Sequence, residues 1–313
     1  MEYVKDKLIE QMKTLTKPLV FIGSGRSGST VISEIIFRHE QLAWPSNYQD
    51  KFPGSTSINY LRRLFENKSW HIHGQKPQLN KVSFFNKFIF KPVEAYNFWE
   101  KITGNRIDFS RGFLLNEKAS REEVKMIRDF FSKIVEYQGR SRLSFKITGP
   151  SRIGYLTSIF PDAIFINIVR DPFYTIQSWL KVDFWQDKGA HQLWWLGAYT
   201  KEEEAWANAN AQHPFLLAAL QYKKIQEITN TEIIQYQVPC MTVAYEDFVE
   251  LPEKIIRDIL SFSDLPPSIQ IDNYLKENKI YNQNKKQLSN DLAMIKEKDK
   301  MDQILNGQFI FKA

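Results

Sequence analysis

The residues best suited to chemistry begin with a glycine-rich run, Gly23-Ser24-Gly25-Arg26-Ser27-Gly28-Ser29-Thr30. It follows the apolar stretch Pro18-Leu19-Val20-Phe21-Ile22 and precedes Val31, Ile32, Ile35 and Ile36, which fall at helical spacing. A loop between a strand and a helix gathers backbone N–H groups and a helix N-terminus around an anion, commonly a phosphate. Arg26 adds a cation within it. As a dinucleotide fingerprint, Gly23, Gly25 and Gly28 have the right spacing, but Ala43-Trp44-Pro45-Ser46-Asn47 stands where a second strand should end in a ribose-holding acid. As a nucleoside triphosphate loop, Gly23 to Thr30 has the spacing and the terminal Thr, but Ser29 replaces the Lys that meets the β- and γ-phosphates. A plain turn joining strand to helix is the third reading. A phosphate-cradling loop of this composition suits a nucleotide whose reacting end is not a γ-phosphate.

The elements that must position this loop recur further on. Leu143-Ser144-Phe145-Lys146-Ile147 reads as a strand, with a helix through Ile153, Leu156 and Ile159 after it. Ala163 to Val169 is apolar on both faces, as central strands of parallel sheets are, and Arg170-Asp171-Pro172 closes it with Pro172 placed for the first turn of a helix. A helix is expected from about 201 to 229, a strand at Met241-Thr242-Val243-Ala244, and a helix from Pro252 to Phe262. Strands alternating with helices imply an α/β fold, with a parallel sheet covered by helices on both sides. The aromatic-rich stretch from about 44 to 112 lacks sustained periodicity, so irregular cover over the core is expected there in place of a separate domain.

Four motifs in this order resemble the sulfotransferases that use 3'-phosphoadenosine-5'-phosphosulfate (PAPS). Gly23 to Thr30, with its Arg-Ser-Gly-Ser-Thr core, is similar to their 5'-phosphosulfate loop, and Phe160 to Pro172 with Ser178 to their 3'-phosphate segment. Lys146 before Gly149-Pro150 resembles a Lys-Thr-Pro strand end, and Val243-Ala244-Tyr245-Glu246-Asp247-Phe248 resembles a Tyr-Glu-Asp-Leu stretch. The matches span residues 18 to 45 and 143 to 262. The resemblance implies one sulfotransferase domain over 1–313, a three-layer P-loop-NTPase-like parallel sheet flanked by helices, with irregular and helical insertions from about 44 to 142 covering the acceptor site. Its cofactor would be bound by Gly23, Gly25, Arg26, Ser27, Gly28, Ser29 and Thr30, with Arg170 and Ser178 on the 3'-phosphate and Tyr245 near the purine. Lys285 and Lys286, in the basic tail from about 276 to 313, are added as cofactor-binding cations.

Sulfuryl transfer, like phosphoryl transfer, leaves the protein mainly to position partners and stabilise charge. Arg26 and the amides of Ser27 to Thr30 would meet the leaving phosphate and the sulfuryl oxygens, with Lys146 as helper. In protein-tyrosine relatives a Glu base lies where this chain has Ser46 and Asn47, neither of which is a base at neutral pH. Asp50 is the nearest carboxylate and the first candidate for the base, His71, His73 and His191 are the others, and an ordinary surface position is the competing reading of each; His39 is expected to pack at the end of the first helix. Trp179, Phe184, Trp185, Trp194, Trp195, Tyr199 and Trp206 are either core or a wall of the acceptor pocket, suited to a polycyclic or cationic molecule.

Composition bounds these readings. With 43% hydrophobic and 25% charged residues, the 313-residue chain is that of an ordinary globular protein. The excess of 42 Lys and Arg over 36 Asp and Glu, +6 formally, fits an anionic ligand better than a nucleic-acid polymer. One cysteine excludes an internal disulfide and argues for a reducing compartment, and the start lacks a secretory signal's apolar stretch, so the cytoplasm is expected. No apolar run approaches the roughly 20 residues of a membrane span. The activity expected is sulfuryl transfer from PAPS to a hydroxyl or amine of a small molecule or glycan, without a metal. A nucleotide kinase-like enzyme and a non-catalytic adenosine bisphosphate-binding protein are the alternatives.

Overall fold

The computed structural model describes residues 15–66, 90–104, 106–284 and 292–311. Five strands, β1 (Leu19–Gly23), β2 (Leu42–Ala43), β3 (Arg142–Lys146), β4 (Ile164–Val169) and β5 (Cys240–Ala244), form one parallel sheet in the order β2-β3-β1-β4-β5. Leu19 is in register with Ser144 on one side and Ile164 on the other. All five residues of β1 are buried, as befits a central strand whose apolar run continues through both faces.

Side chains alternate across the sheet and sort into two cores. Val20, Ile22, Leu143, Phe145 and Phe165 pack against α4 (Tyr96–Thr103), α5 (Arg121–Tyr137) and α6 (Ile153–Ile159) on one face. Leu19, Phe21, Ile164, Ile166, Ile168 and Val243 pack on the other, against α1 (Ser29–Ile36), α12 (Pro252–Phe262) and α13 (Ile269–Glu277). This is the three-layer arrangement that the alternation of strands and helices implies. A third cluster joins α7 (Pro172–Leu180), α8 (Asp183–Lys188), α9 (Lys201–Ala209), α10 (Pro214–Tyr236) and α14 (Leu292–Leu305). The remaining helices are α2 (Asn47–Lys51), α3 (Arg62–Phe65) and α11 (Tyr245–Glu250).

One feature departs from the sequence expectations. The single helix expected over 201–229 is two helices, broken at Asn210 to His213, because Pro214 has no N–H to continue α9 and serves as the first residue of α10. Within the stretch 44–142, where helical insertions are expected, α5 is opened by a reciprocal capping box between Ser120 and Glu123. In the basic tail Met301 and Ile304 of α14 are buried in the third cluster.

The inserted stretch is tied to the sheet by a buried cation. Arg62 lies 4.0 Å over the Trp44 ring, donates to Leu42 O at 3.1 Å, and also meets Glu66 and Gln138. Burial lowers its pKa to about 10, so it stays charged at neutral pH. A charge this deep is tolerated only because carboxylate, amide and carbonyl oxygens surround it. Pro45 to Asn47 then pair antiparallel with Lys91 to Val93, through Asn47 N to Lys91 O at 2.8 Å and Val93 N to Pro45 O at 3.1 Å.

Candidate active site

The carboxyl ends of β1, β3, β4 and β5 deliver the Gly23–Thr30 loop, Lys146, Arg170 and Tyr245 to one cavity of about 470 Å³. A parallel sheet places its ligand crevice at this edge. Among the loop residues Gly25, Arg26 and Gly28 have φ of 73°, 55° and 86°, a winding that turns successive amides toward a common concavity. Among the described residues, no loop or turn backbone hydrogen bond takes the N–H groups of residues 25 to 30, and the buried Ser27 Oγ has no hydrogen-bond partner. Gly28 is required twice over: its φ is left-handed, and a Cβ there would come within 2.3 Å of Tyr245 Cδ2.

One part of the cavity wall carries a cation, two hydroxyls and a carboxylate. Lys146 Nζ donates to Thr30 Oγ1 at 2.9 Å and lies 3.3 Å from Glu94 Oε1. The other Glu94 oxygen accepts from Thr148 Oγ1 at 2.8 Å and from Thr148 N at 3.3 Å. Both carboxylate oxygens are thus oriented, and Glu94 still lines the cavity. Beside it stand Trp179, Trp185 and Trp195, whose ring centroids are 4.8 to 5.4 Å apart, and the half-exposed Phe184. These tryptophans are core and wall at once, since they also belong to the third hydrophobic cluster.

Another part gathers Arg26, Arg170 and Ser178. Arg26 Nε donates to Ser178 Oγ at 3.0 Å, and Arg170 Nη1 donates to the Arg26 carbonyl at 2.8 Å. Trp179 Nε1, in the cavity wall, donates to Gly25 O at 3.2 Å and so holds the loop. The Arg170 guanidinium lies 4.9 Å from the Tyr245 ring centre, and burial lowers its pKa from the usual Arg value while Tyr245 and Glu246 oppose that shift. Asp171 accepts from Phe173 N at 2.9 Å and Tyr174 N at 3.2 Å, so it caps α7. A cap of this kind contributes about 1 kcal/mol. Two guanidinium groups and one hydroxyl, donors of the kind that meet an anion, thus share this part of the cavity wall with the Tyr245 ring.

The loop residues Gly25, Arg26, Gly28, Ser29 and Thr30, with Lys146, Arg170, Ser178 and Tyr245, all line the cavity. Asp50 does not. It sits in α2 and accepts from Asn97 N and Asn97 Nδ2, both at 3.1 Å, which ties α2 to the start of α4; burial raises its pKa. His191 Nδ1 donates to Ala211 O at 2.9 Å, outside the cavity. His39 is buried after α1, where its Nδ1 accepts from Gln41 N at 3.1 Å and its Nε2 meets Pro266 O at 2.9 Å. His71, His73, Lys285 and Lys286 lie outside the described residues. Arg26 reaches Ser178 rather than Lys146 and Thr30, so it shares the Arg170 end of the cavity.

Glu94 lines the cavity although sequence reasoning did not single it out. The pairing of Pro45–Asn47 with Lys91–Val93 leads the chain to it, one residue past Val93, whose N–H donates to Pro45 O. Among the described residues no cluster of three or more His, Cys, Asp or Glu could hold a metal, and no helix is long and apolar enough to cross a membrane.

The sequence profile of the Sulfotransferase family matches residues 18–268, well over half of the chain. No curated protein matches it. Among solved structures, the sulfotransferase STF9 from Mycobacterium avium is similar with a TM-score of 0.53 at 14% identity, covering 96% of this chain and 80% of that one. STF1 from Mycobacterium tuberculosis H37Rv has a TM-score of 0.44 at 13% identity, with 94% and 80% covered. The sulfotransferase domain of the Synechococcus PCC 7002 olefin synthase has 0.42 at 15%, with 94% and 95% covered. The first of these likenesses concerns the fold.

Proposed function

The chain belongs to the Sulfotransferase family, and on that premise we propose that it moves a sulfuryl group from PAPS to a hydroxyl or amine of a small molecule or glycan. One observation carries this reading: a single cavity holds Lys146 paired with Glu94 at 3.3 Å in one part of its wall and Arg26, Ser178 and Arg170 in another. PAPS needs both ends. Its 5'-phosphosulfate would take the amides of Gly25 to Thr30 with Lys146 as countercharge, and its 3'-phosphate would take Arg170, Ser178 and Arg26. Tyr245, packed closely against Gly28 and lining the cavity, would lie beside the purine.

In the proposed reaction the acceptor oxygen or nitrogen attacks sulfur in line with the bridging oxygen of the 5'-phosphate. A new bond to sulfur forms, the sulfur–oxygen bond to the 5'-phosphate breaks, and adenosine 3',5'-bisphosphate leaves. The acceptor proton goes to Glu94. Thr148 holds the Glu94 carboxylate in place, and Lys146 donates toward the developing charge on the bridging oxygen. Preorganised donors of this kind act without reorganising during the reaction. The aromatic wall of Phe184, Trp185 and Trp195 favours an acceptor with a flat apolar face. A cytoplasmic location fits a chain with one cysteine.

The kinase-like and non-catalytic alternatives predict different behaviour. Incubation with PAPS carrying a radioactive sulfuryl group, with phenols, amines and glycosides as acceptors, should label at least one class. The label should vanish from product in Glu94→Gln while adenosine bisphosphate still binds. Tight binding of that nucleotide with no labelled product from any acceptor would favour the non-catalytic reading.

A further inference from the structure

Asn284 lies beyond residue 268, where the family match ends, yet it is buried against the cation expected to read the 3'-phosphate. Its Oδ1 accepts from Arg170 Nε at 2.9 Å and Nη2 at 2.6 Å. Its Nδ2 donates to Glu246 Oε1 at 2.8 Å, and that oxygen also accepts from Asp171 N at 3.3 Å. A carboxylate accepts only, so Glu246 fixes which way the amide faces: nitrogen toward Glu246, oxygen toward Arg170. The backbone around Asn284 is held as well. Its N–H donates to Asn282 Oδ1 at 2.8 Å, while Tyr245 Oη accepts from Gln283 N at 3.1 Å and donates to Tyr281 O at 3.4 Å.

Arg170 lines the cavity and Asn284 does not. The amide takes the Nε–Nη2 edge of the guanidinium while Nη1 donates to Arg26 O, so the Arg170 side chain is held at the cavity wall from two segments. A carboxylate at this place would hold the same edge but would form an ion pair with Arg170 and cancel the charge that a phosphate needs. A neutral amide orients the cation without neutralising it, and the acid that orients the amide stands one residue further back.

From this geometry, and resting on the reading of Arg170 as the 3'-phosphate cation, we propose that Asn284 is a positioning residue that sets the preference for 3'-phosphorylated nucleotides. It acts through Arg170 and is contributed by a segment outside the family match.

The test is calorimetric titration of the full-length wild type, Asn284→Ala and Asn284→Asp with adenosine 3',5'-bisphosphate and, separately, adenosine 5'-phosphate. The ratio of the two affinities is read, because a loss of fold would weaken both ligands alike. The wild type should prefer the bisphosphate by about tenfold or more, as expected for one charge-assisted contact of roughly 1.5–3 kcal/mol. Asn284→Ala should reduce that preference by about fivefold. Asn284→Asp, nearly the same shape, should reduce it further by placing a carboxylate on Arg170. A wild-type preference that survives or rises in both variants would overturn the role of Asn284 alone. A wild type with no preference would overturn the reading of Arg170 and this inference with it.

Discussion

Lys146 Nζ stands 3.3 Å from Glu94 Oε1, joining the end of β3 to a segment that pairs with Pro45–Asn47. The pair brings a cation and a carboxylate to one wall of the cavity, where the proposed chemistry needs one to meet a leaving phosphate and the other to take a proton. Their different partners keep them from being a mere ion pair: Lys146 also donates to Thr30 and Glu94 also accepts from Thr148.

Glu94→Gln should lower turnover by about 10²–10⁴, the usual worth of a positioned general base. The affinity for adenosine bisphosphate should stay within about threefold of wild type. Single-turnover sulfuryl transfer and calorimetry together check this; unchanged turnover would remove Glu94 from the chemistry.

Gly28→Ala tests the loop. A Cβ at φ 86° with Tyr245 Cδ2 only 2.3 Å away forces either the loop or the ring to move. The variant should lose at least about 1 kcal/mol of stability and bind adenosine bisphosphate at least about tenfold more weakly. Thermal unfolding and titration of the same preparation read both. Wild-type values for each would show that the ring and loop are not in contact as described.

Phe184→Ala addresses the acceptor. Phe184 is 53% exposed, so its removal costs little packing, but it lines the cavity beside Trp185. The variant should raise KM for a flat phenolic acceptor such as 2-naphthol by about fivefold and leave nucleotide affinity unchanged. An effect confined to the nucleotide would place the acceptor elsewhere.

Asp50 should matter to stability instead of turnover. Burial raises its pKa in the folded protein above the ordinary value near 3.8. For a carboxylate so shifted, the stabilising contribution is full below the unfolded pKa and is lost as pH rises through the higher folded value. Asp50→Asn, titrated by thermal unfolding across that acid range, should show a flatter dependence than wild type, with turnover retained. A loss of turnover as large as that of Glu94→Gln would return Asp50 to the reaction.

Much of the fold was legible because its signals are local. β1 and β4 are continuous apolar runs, and Pro172 starts α7 where the sequence places it. The break before α10 was legible too, in Pro214, but the helical periodicity on either side masked it. The donor side of the cavity was readable for the same reason: Lys146, Arg170 and Tyr245 each sit at or directly after a strand's carboxyl end. Glu94 was not. Its place depends on pairing between Pro45–Asn47 and Lys91–Val93, more than forty residues away in a stretch without strand periodicity. Asn284 depends likewise on a long-range contact with Arg170 from a segment whose composition suggests only a basic surface.

A cavity built for a 3'-phosphorylated adenosine nucleotide should discriminate between adenosine 3',5'-bisphosphate and ATP with magnesium in parallel calorimetric titrations of the wild-type protein. The bisphosphate should bind saturably and one-to-one, its affinity should fall by about tenfold or more in Arg170→Ala, and ATP should bind much more weakly. Tight binding of ATP with none of the bisphosphate would show that the cavity serves another nucleotide.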